Sequence, residues 1–132
     1  MKMKKLGLVF LILIIMSTFI FSSKVVAQDK NLVVRIAKLQ IDSAKLESYK
    51  TALKEQAETA VRIEPGVITL YAVYEKDHPT HVTVFEIYAN IDAYKAHLQT
   101  PHFKKYKSTT MEMVKSLELI ETVPIVLETK GK

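Results

Sequence analysis

Two patterns of apolar residues follow each other in the first half of the chain and predict a strand and then a helix. Residues 32–41 are mostly branched aliphatic residues, which is typical of a β-strand. Between residues 46 and 61, apolar side chains recur every three or four positions, which places them on one stripe of a helix with charged side chains opposite. Asp42 can cap this helix, and Pro65-Gly66 ends it.

The middle of the chain predicts a hairpin and a second, interrupted helix. Residues 67–75 and 81–89 are rich in β-forming residues and are joined by a short polar loop, so we expect them to pair as an antiparallel hairpin. Helical sequence covers residues 91–116, with a break at Thr100-Pro101. Threonine suits a helix N-cap and proline the first helical position, so a new helical segment should start there.

A last strand over residues 117–127 completes the order β-α-β-β-α-β. Proline cannot donate a ladder hydrogen bond, so Pro124 places this strand, or its end, at a sheet edge. The order is that of the ferredoxin-like α+β fold, in which two helices cover one face of a four-stranded antiparallel sheet. We therefore predict one domain of this class.

The middle strands of the predicted sheet are apolar on both faces, which indicates a second subunit. A sheet with one face in water normally alternates polar and apolar residues, and two helices can cover only one face. We therefore expect the other face to pack against the same face of a second copy, in a homodimer whose two sheets form a barrel-like core. One face of the second strand carries Ile68, Leu70 and Ala72, and the other carries Val67, Tyr71 and Val73.

Residues 1–27 have the pattern of an export signal. Three lysines among the first five residues precede an apolar run of 16 residues, and small residues up to Ala27 predict cleavage after that position. The apolar run is shorter than the ~20 residues that a spanning helix needs, so an uncleaved anchor is the less favoured alternative. We expect residues 28–132 to form an exported domain, periplasmic or secreted, with no membrane attachment after cleavage.

Composition excludes several classes of function for this domain. The chain has 19 basic and 14 acidic residues, and four basic residues lie within the signal, so the remainder is nearly neutral and nucleic-acid binding has little electrostatic support. The absence of cysteine excludes disulfides, thiol nucleophiles and thiolate metal sites. Only Gly66 and Gly131 follow the signal, so we expect no glycine-rich phosphate loop and no nucleotide cofactor.

Glu86, His97 and His102 are the candidates for proton transfer. Glu86 is a lone acid in the predicted third strand, where burial would raise its pKa toward neutral pH; alternatively it is a structural carboxylate bonded to a tyrosine, a lysine or a helix end. The break at Thr100-Pro101 would let His97 and His102 reach one cavity as proton shuttles or hydrogen-bond donors, and His97 can equally cap or pack on the sheet. There is no HExxH-type spacing, so we predict no metal site.

Aromatic side chains on elements that should face each other predict an apolar pocket for a flat aromatic ligand. Aromatic residues at strand and helix spacings also build ordinary cores, and the sequence leaves both interpretations open. The aromatic residues concerned are Tyr71, Tyr74, Phe85, Tyr88, Tyr94, Phe103 and Tyr106.

Three blocks of sequence together carry a family resemblance. They are E-P-G-V-I-T-L-Y at 64–71, F-E-I-Y at 85–88 and A-Y-K-A-H-L-Q-T-P-H-F-K-K-Y at 93–106. In their order and spacing they resemble the antibiotic biosynthesis monooxygenase family, particularly its small quinol-monooxygenase-like members. The resemblance covers almost all of residues 28–132 and implies a ferredoxin-like fold in a dimeric α+β barrel.

The resemblance also implies a reaction, the oxygenation of a quinol or other aromatic by O₂ without flavin, haem or metal. The substrate, as a phenolate or carbanion, would itself donate an electron to O₂, while the protein deprotonates and orients it in a dry pocket. Glu86, His97 and His102 would then transfer protons. The residues that would hold the substrate rings are Tyr71, Phe85, Tyr88, Phe103 and Tyr106. Haem degradation is disfavoured because its relatives rely on a tryptophan that this chain lacks, and an exported protein does not suit the branch that isomerises a phosphorylated sugar.

Two other classes of function fit the same sequence. One is a non-catalytic module that binds a small hydrophobic molecule in the pocket, and the other is an isomerase or lyase that uses the same proton-transfer groups without oxygen. Oxygen consumption separates the monooxygenase from both.

Overall fold

The computed structural model of the protein describes residues 31–131, so the export signal predicted for residues 1–27 lies outside the described residues. Within residues 31–131, no helix combines the length and the apolar character needed to cross a membrane. The elements confirm the predicted order. They are β1 (Val33–Ile41), α1 (Leu46–Ile63), β2 (Val67–Tyr74), β3 (His81–Tyr88), α2 (Ile91–Gln99), α3 (Pro101–Thr110) and β4 (Val114–Thr122).

Asn90 and Thr100 cap α2 and α3, and the Thr100 cap confirms the sequence prediction. The cap predicted for α1 was wrong in its position, because Asp42 caps a short turn before α1, and α1 itself follows Lys45 without a side-chain cap. Asp42 accepts a hydrogen bond of 2.9 Å from the Ala44 backbone at a 3₁₀ turn that leads into α1. Thr100 caps α3 ahead of Pro101, which separates α3 from α2. The interrupted helix is therefore two short helices, and the backbone changes direction between them.

The sheet has the strand order β2-β3-β1-β4, with all neighbouring strands antiparallel. This confirms the ferredoxin-like α+β fold. It also corrects the expectation that β2 is a middle strand, because β2 and β4 lie at the two edges. The prediction from Pro124 is confirmed, since β4 is an edge strand that ends at Thr122.

The last strand lies further toward the N-terminus than the predicted range of 117–127. The chain turns directly after α3, where the Met113 backbone donates to the Thr110 carbonyl at 2.8 Å, and β4 starts one residue later. Pairing with β1 then fixes its length, because the ladder ends with Val34 opposite Thr122. Long-range pairing, which a local pattern does not contain, decides both ends.

A register shift near the start of β2 changes which face its first residue occupies. Val67 lies opposite Tyr88 and the next pair is Thr69 with Ile87, so β2 has one residue more than β3 between these pairs. Val67 is consequently buried beside Ala60 on the helix side. The expectation that Val67 shares a face with Tyr71 and Val73 was wrong for this reason.

The helices cover one face of the sheet and build the core with it. Tyr49 and Leu53 of α1 pack against Val82 and Val84 of β3. All four side chains are at most 7% exposed, and burial of such a side chain stabilises the fold by roughly 1.5–3 kcal/mol. The opposite face carries apolar side chains as well, including Tyr71, whose exposed fraction is 62%.

Gly66 lies at a close approach between the α1–β2 connection and α2. A Cβ atom built at this position would overlap the Cβ of Ala93. We expect Gly66→Ala to destabilise the protein by roughly 1–3 kcal/mol, as overpacking does, measured by urea unfolding. The double variant Gly66→Ala/Ala93→Gly should recover part of that loss, and additive effects of the two substitutions would contradict the proposed contact.

Candidate functional site

A cavity of about 510 Å³ lies between the helix-covered face of the sheet and helices α1, α2 and α3. This volume is in the range of small-molecule sites. The cavity opens beside β4, where the lining residues Leu117 and Leu119 are 43% and 51% exposed. The polar and aromatic residues of its lining include Arg35, Gln56, Glu86, Tyr88, Tyr94, Phe103 and Tyr106.

Among the described residues that line this cavity, Glu86 is the only one with a carboxylate. Side chains alternate along β3, so Glu86 shares the helix-covered face with Val84 and Tyr88, and it stands opposite Arg35 of β1. Burial raises the pKa of Glu86, while the positive charge of Arg35 and the proximity of Tyr88 only partly oppose that shift. A carboxyl group in this environment can exchange protons closer to neutral pH than an exposed one.

Arg35 is held within the cavity wall without a salt bridge. Its guanidinium carbon lies 4.5 Å from the centre of the Tyr94 ring, which is a cation–π arrangement. Among the ion pairs of residues 31–131, none of 4.0 Å or less involves Arg35. Its positive charge therefore acts on Glu86 through the electrostatic field of the site.

Two buried polar atoms in the cavity wall have no hydrogen-bond partner in the described part of the chain. They are Arg35 Nε and Tyr88 Oη. Unpaired buried polar groups are rare in folded proteins and costly in free energy. Since both side chains line the cavity, an oxygen atom of a bound ligand is a suitable partner for either group.

Two tyrosine hydroxyls meet on the α3 side of the cavity. Tyr49 and Tyr106 share a hydrogen bond of 2.8 Å between their Oη atoms, and Tyr49 is fully buried. Burial raises the pKa of both phenols, with the negative charge of Glu86 adding to the shift. Both hydroxyls therefore stay protonated at neutral pH and act as hydrogen-bond partners.

A second polar cluster lies where α1 ends and α2 meets α3. Glu64 follows the last residue of α1, His97 is in the last turn of α2, and His102 is in the first turn of α3. One carboxylate oxygen, Glu64 Oε2, accepts hydrogen bonds from His97 Nδ1 at 2.8 Å and from His102 Nε2 at 2.6 Å. The change of direction at Thr100-Pro101 brings the two rings together.

Gln56 connects this cluster to the cavity. Its side chain lines the cavity, and its amide Nε2 donates to His97 Nε2 at 3.1 Å. With Nδ1 donating to Glu64, this pattern corresponds to a neutral His97 ring. Burial lowers the pKa of His97, although the hydrogen bond with Glu64 opposes that shift, and the neutral form is consistent with this direction.

The structure divides the predicted site residues into three groups. Glu86, Tyr88, Phe103 and Tyr106 come together in the cavity lining. His97 and His102 come together on Glu64, behind the lining, with the His97 ring centre 5.3 Å from that of Tyr88 and 4.8 Å from that of Phe103. Tyr71 and Phe85 pair with each other on the opposite face of the sheet.

The eight predicted site residues therefore do not share one cavity within the described part of the chain. The side chains at odd positions of β3 face away from the helices, so Phe85 cannot reach the cavity. Tyr71 lies directly opposite Phe85 on β2 and therefore shares that face. His97 and His102 can affect a ligand there only through Gln56 or the aromatic rings between them. Their predicted role in proton transfer stays a prediction.

Three residues of the two clusters, Arg35, Gln56 and Glu64, are absent from the residues predicted from the sequence. Arg35 interrupts the otherwise apolar face of β1 that carries Ala37, Leu39 and Ile41, which is a usable signal. Gln56 occupies a buried position in α1, where a polar residue needs a partner. Glu64 precedes Pro65-Gly66 and resembled an ordinary helix end, and nothing local indicates its histidine partners.

Comparisons with known proteins agree on one family. A model of the antibiotic biosynthesis monooxygenase family matches residues 32–109. A solved structure from Bacteroides thetaiotaomicron, a candidate antibiotic biosynthesis monooxygenase, is 51% identical, with a TM-score of 0.75 over 79% of this chain and 99% of that chain. A candidate monooxygenase from Lactobacillus acidophilus is 35% identical, with a TM-score of 0.70 over 73% of this chain and 45% of that chain. No curated protein sequence gives a significant match.

Proposed function

This chain belongs to the antibiotic biosynthesis monooxygenase family, and from that premise we propose that it oxygenates a quinol or similar aromatic with O₂ in the cavity beside Glu86. The proposal needs no flavin, haem or metal in the reaction. We also propose that the protein is exported and that its signal is cleaved after Ala27. The observation that carries the proposed reaction is the placement of one half-buried carboxylate among aromatic side chains in a cavity of about 510 Å³.

The proposed first step is a proton transfer to Glu86. The ionised carboxylate takes a proton from a hydroxyl of the bound quinol, and the raised pKa of Glu86 makes it a stronger base than an exposed carboxylate. The resulting phenolate is electron-rich enough to give one electron to O₂. The protein supplies position and proton transfer, and the substrate supplies the electrons.

The remaining steps balance without an external reductant. The two radicals formed by electron transfer combine at a ring carbon to give a hydroperoxide, and its O–O bond breaks with loss of water. One oxygen atom stays on the carbon as a carbonyl or hydroxyl group and the other leaves as water. A quinol and O₂ thus give a hydroxyquinone and water, with all four electrons coming from the substrate.

Arg35 and Tyr88 support the binding of such a substrate. Arg35 Nε and Tyr88 Oη are buried donors without a partner, and quinol oxygens are acceptors for both. The Arg35 charge also favours a phenolate over a neutral phenol. Tyr94, Phe103 and Tyr106 provide flat surfaces for the ring.

We also propose that two copies assemble through the uncovered face of the sheet. This face carries Tyr71, Val73 and Phe85, and the first two are 62% and 64% exposed. Helices α1, α2 and α3 pack on the other face and cannot cover these apolar side chains. The same face of a second copy would bury them in a symmetric interface. Tyr71 and Phe85 would then contribute to assembly instead of ligand binding.

Oxygen uptake tests the proposal directly. The purified protein, freed of metal and flavin, is mixed with a panel of quinols and hydroxynaphthalenes while dissolved oxygen is recorded. Accelerated uptake with at least one compound supports the monooxygenase. Saturable quenching of tyrosine fluorescence without uptake would support a binding module, and isomerised product without uptake would support an isomerase.

Glu86 should also reduce the stability of the protein at neutral pH. Its folded-state pKa is raised above the ordinary value of 4.5, so the native state retains a proton that the unfolded chain has lost, and stability falls as pH rises through the folded pKa. We expect Glu86→Gln to raise the free energy of unfolding at neutral pH, and Tm with it, because glutamine has no charge to bury. The gain should vanish below the ordinary carboxyl pKa. A lower Tm for the variant at pH 7 would contradict the raised pKa.

A further inference from the structure

We propose that Glu64, His97 and His102 bind a divalent transition-metal ion such as Zn²⁺ at the junction of α1, α2 and α3. Each residue offers one ligand atom, and the three atoms lie within 4.8 Å of one another. Two imidazoles and one carboxylate are a ligand set that zinc uses in proteins, with water in the fourth position. This site is separate from the proposed oxygenation chemistry and does not depend on it.

Side-chain movements of about an ångström would bring the three ligand atoms to zinc-binding distances. Around tetrahedral zinc, with metal–ligand distances of ~2.0–2.1 Å, neighbouring ligand atoms lie ~3.3 Å apart. Glu64 Oε2 is now 2.8 Å from His97 Nδ1 and 2.6 Å from His102 Nε2, so each of these two distances must lengthen by roughly 0.5–0.7 Å. The two histidine nitrogens lie within 4.8 Å of each other, so they must approach by up to roughly 1.5 Å.

Gln56 supports the proposed site by a hydrogen bond to His97 Nε2, the ring nitrogen that would not bind the ion. A metal on Nδ1 requires the proton of this ring to be on Nε2, where it must donate to an acceptor. Gln56 faces that nitrogen at 3.1 Å, and rotation of its amide presents an oxygen in place of the NH₂ group. A glutamine serves both states because its amide end carries a donor and an acceptor.

The position of the site gives the ion a structural consequence. The three ligands come from the end of α1, the last turn of α2 and the first turn of α3. An ion there would tie together three helices that surround the cavity. It does not touch a ligand in the cavity, because neither histidine is in the lining. Binding should therefore stabilise the fold.

The chain contains a matched control for this site. Glu75, His78 and His81 also place two histidines near one carboxylate, with distances of 3.4 and 3.5 Å to Glu75 Oε2. All three are exposed, and they are not among the described groups whose ligand atoms converge on one point. The two rings stack with centres 5.5 Å apart, and within residues 31–131 neither has a hydrogen bond like that between Gln56 and His97.

Calorimetric titration of Zn²⁺ into metal-free protein, together with thermal unfolding, tests the proposal. We expect one saturable ion per chain and a higher Tm with zinc. Glu64→Gln and His102→Ala, which replace the two less buried ligands, should each lower the affinity at least tenfold and remove the Tm gain. His78→Ala/His81→Ala should leave both unchanged. Cobalt(II) should give the visible absorption of a tetrahedral nitrogen–oxygen site.

Any of three results would overturn the proposal. The first is the absence of saturable zinc binding by the wild-type protein below the millimolar range. The second is unchanged affinity in Glu64→Gln and His102→Ala, and the third is loss of binding in His78→Ala/His81→Ala. Circular dichroism of each variant establishes that it is folded before the comparison is made.

Discussion

Replacement of Glu86 by Gln is expected to lower kcat/KM for an aromatic substrate by roughly 10²–10⁴-fold, the usual contribution of a positioned general base. Glutamine keeps the size of the side chain and one acceptor oxygen, with an NH₂ donor in place of the other oxygen, but it cannot accept the substrate proton. Binding of the substrate under anaerobic conditions should change little. The measurement is initial oxygen uptake as a function of substrate concentration.

The pH profile separates a base from a residue that only positions others. In the wild type, kcat/KM should rise with pH through the folded-state pKa of Glu86, which burial places above the ordinary carboxyl value. That rise should be missing from the residual activity of the variant. Glu121→Gln is the matched control, because Glu121 flanks Arg35 from β4 but is exposed and is not in the cavity lining. An unchanged rate in Glu86→Gln would remove Glu86 from the mechanism.

Val73→Asp is expected to dissociate the proposed dimer. Val73 lies on the uncovered face of the sheet and is 64% exposed in the single chain. A carboxylate there would be buried without a partner in the interface, twice per dimer, at a cost of roughly 3–5 kcal/mol for an unpaired buried charge. The dissociation constant should therefore rise at least 100-fold, measured by sedimentation velocity over a dilution series.

Val61→Asp provides the comparison for this variant. Val61 is on the outer side of α1 and is 47% exposed, so the same substitution there should leave the dimer intact. A wild-type protein that is monomeric at micromolar concentration would contradict assembly through the sheet. Equal effects of the two substitutions would assign the change to general destabilisation.

The order of elements was predictable because each depends on a local pattern. Helix α1 has a regular apolar stripe, and Thr100-Pro101 marks a helix boundary by its own conformational preferences. Alternation along β3 is enough to place Glu86 and Tyr88 on the same face of the sheet, although it does not identify which face the helices cover. These features required no knowledge of residues distant in the chain.

The parts that could not be predicted depend on contacts between distant residues. The extra residue at the start of β2 appears only through its pairing with β3, and it moved Val67 to the other face. Glu64 meets His97 and His102 although it is 33 and 38 positions away from them. Tyr71 and Phe85 point away from the cavity because the helices cover the other face of the sheet, and sequence alternation does not identify the covered face.

The central claim is that this cavity catalyses oxygenation by O₂ without a bound cofactor, and isotope labelling tests it most directly. A compound that binds the metal-free, flavin-free protein is incubated under ¹⁸O₂, and the product is analysed by mass spectrometry. We expect one ¹⁸O atom in each product molecule, the second in water, and one O₂ consumed per substrate. Unlabelled product, or oxygen uptake no faster than without protein, would contradict the claim.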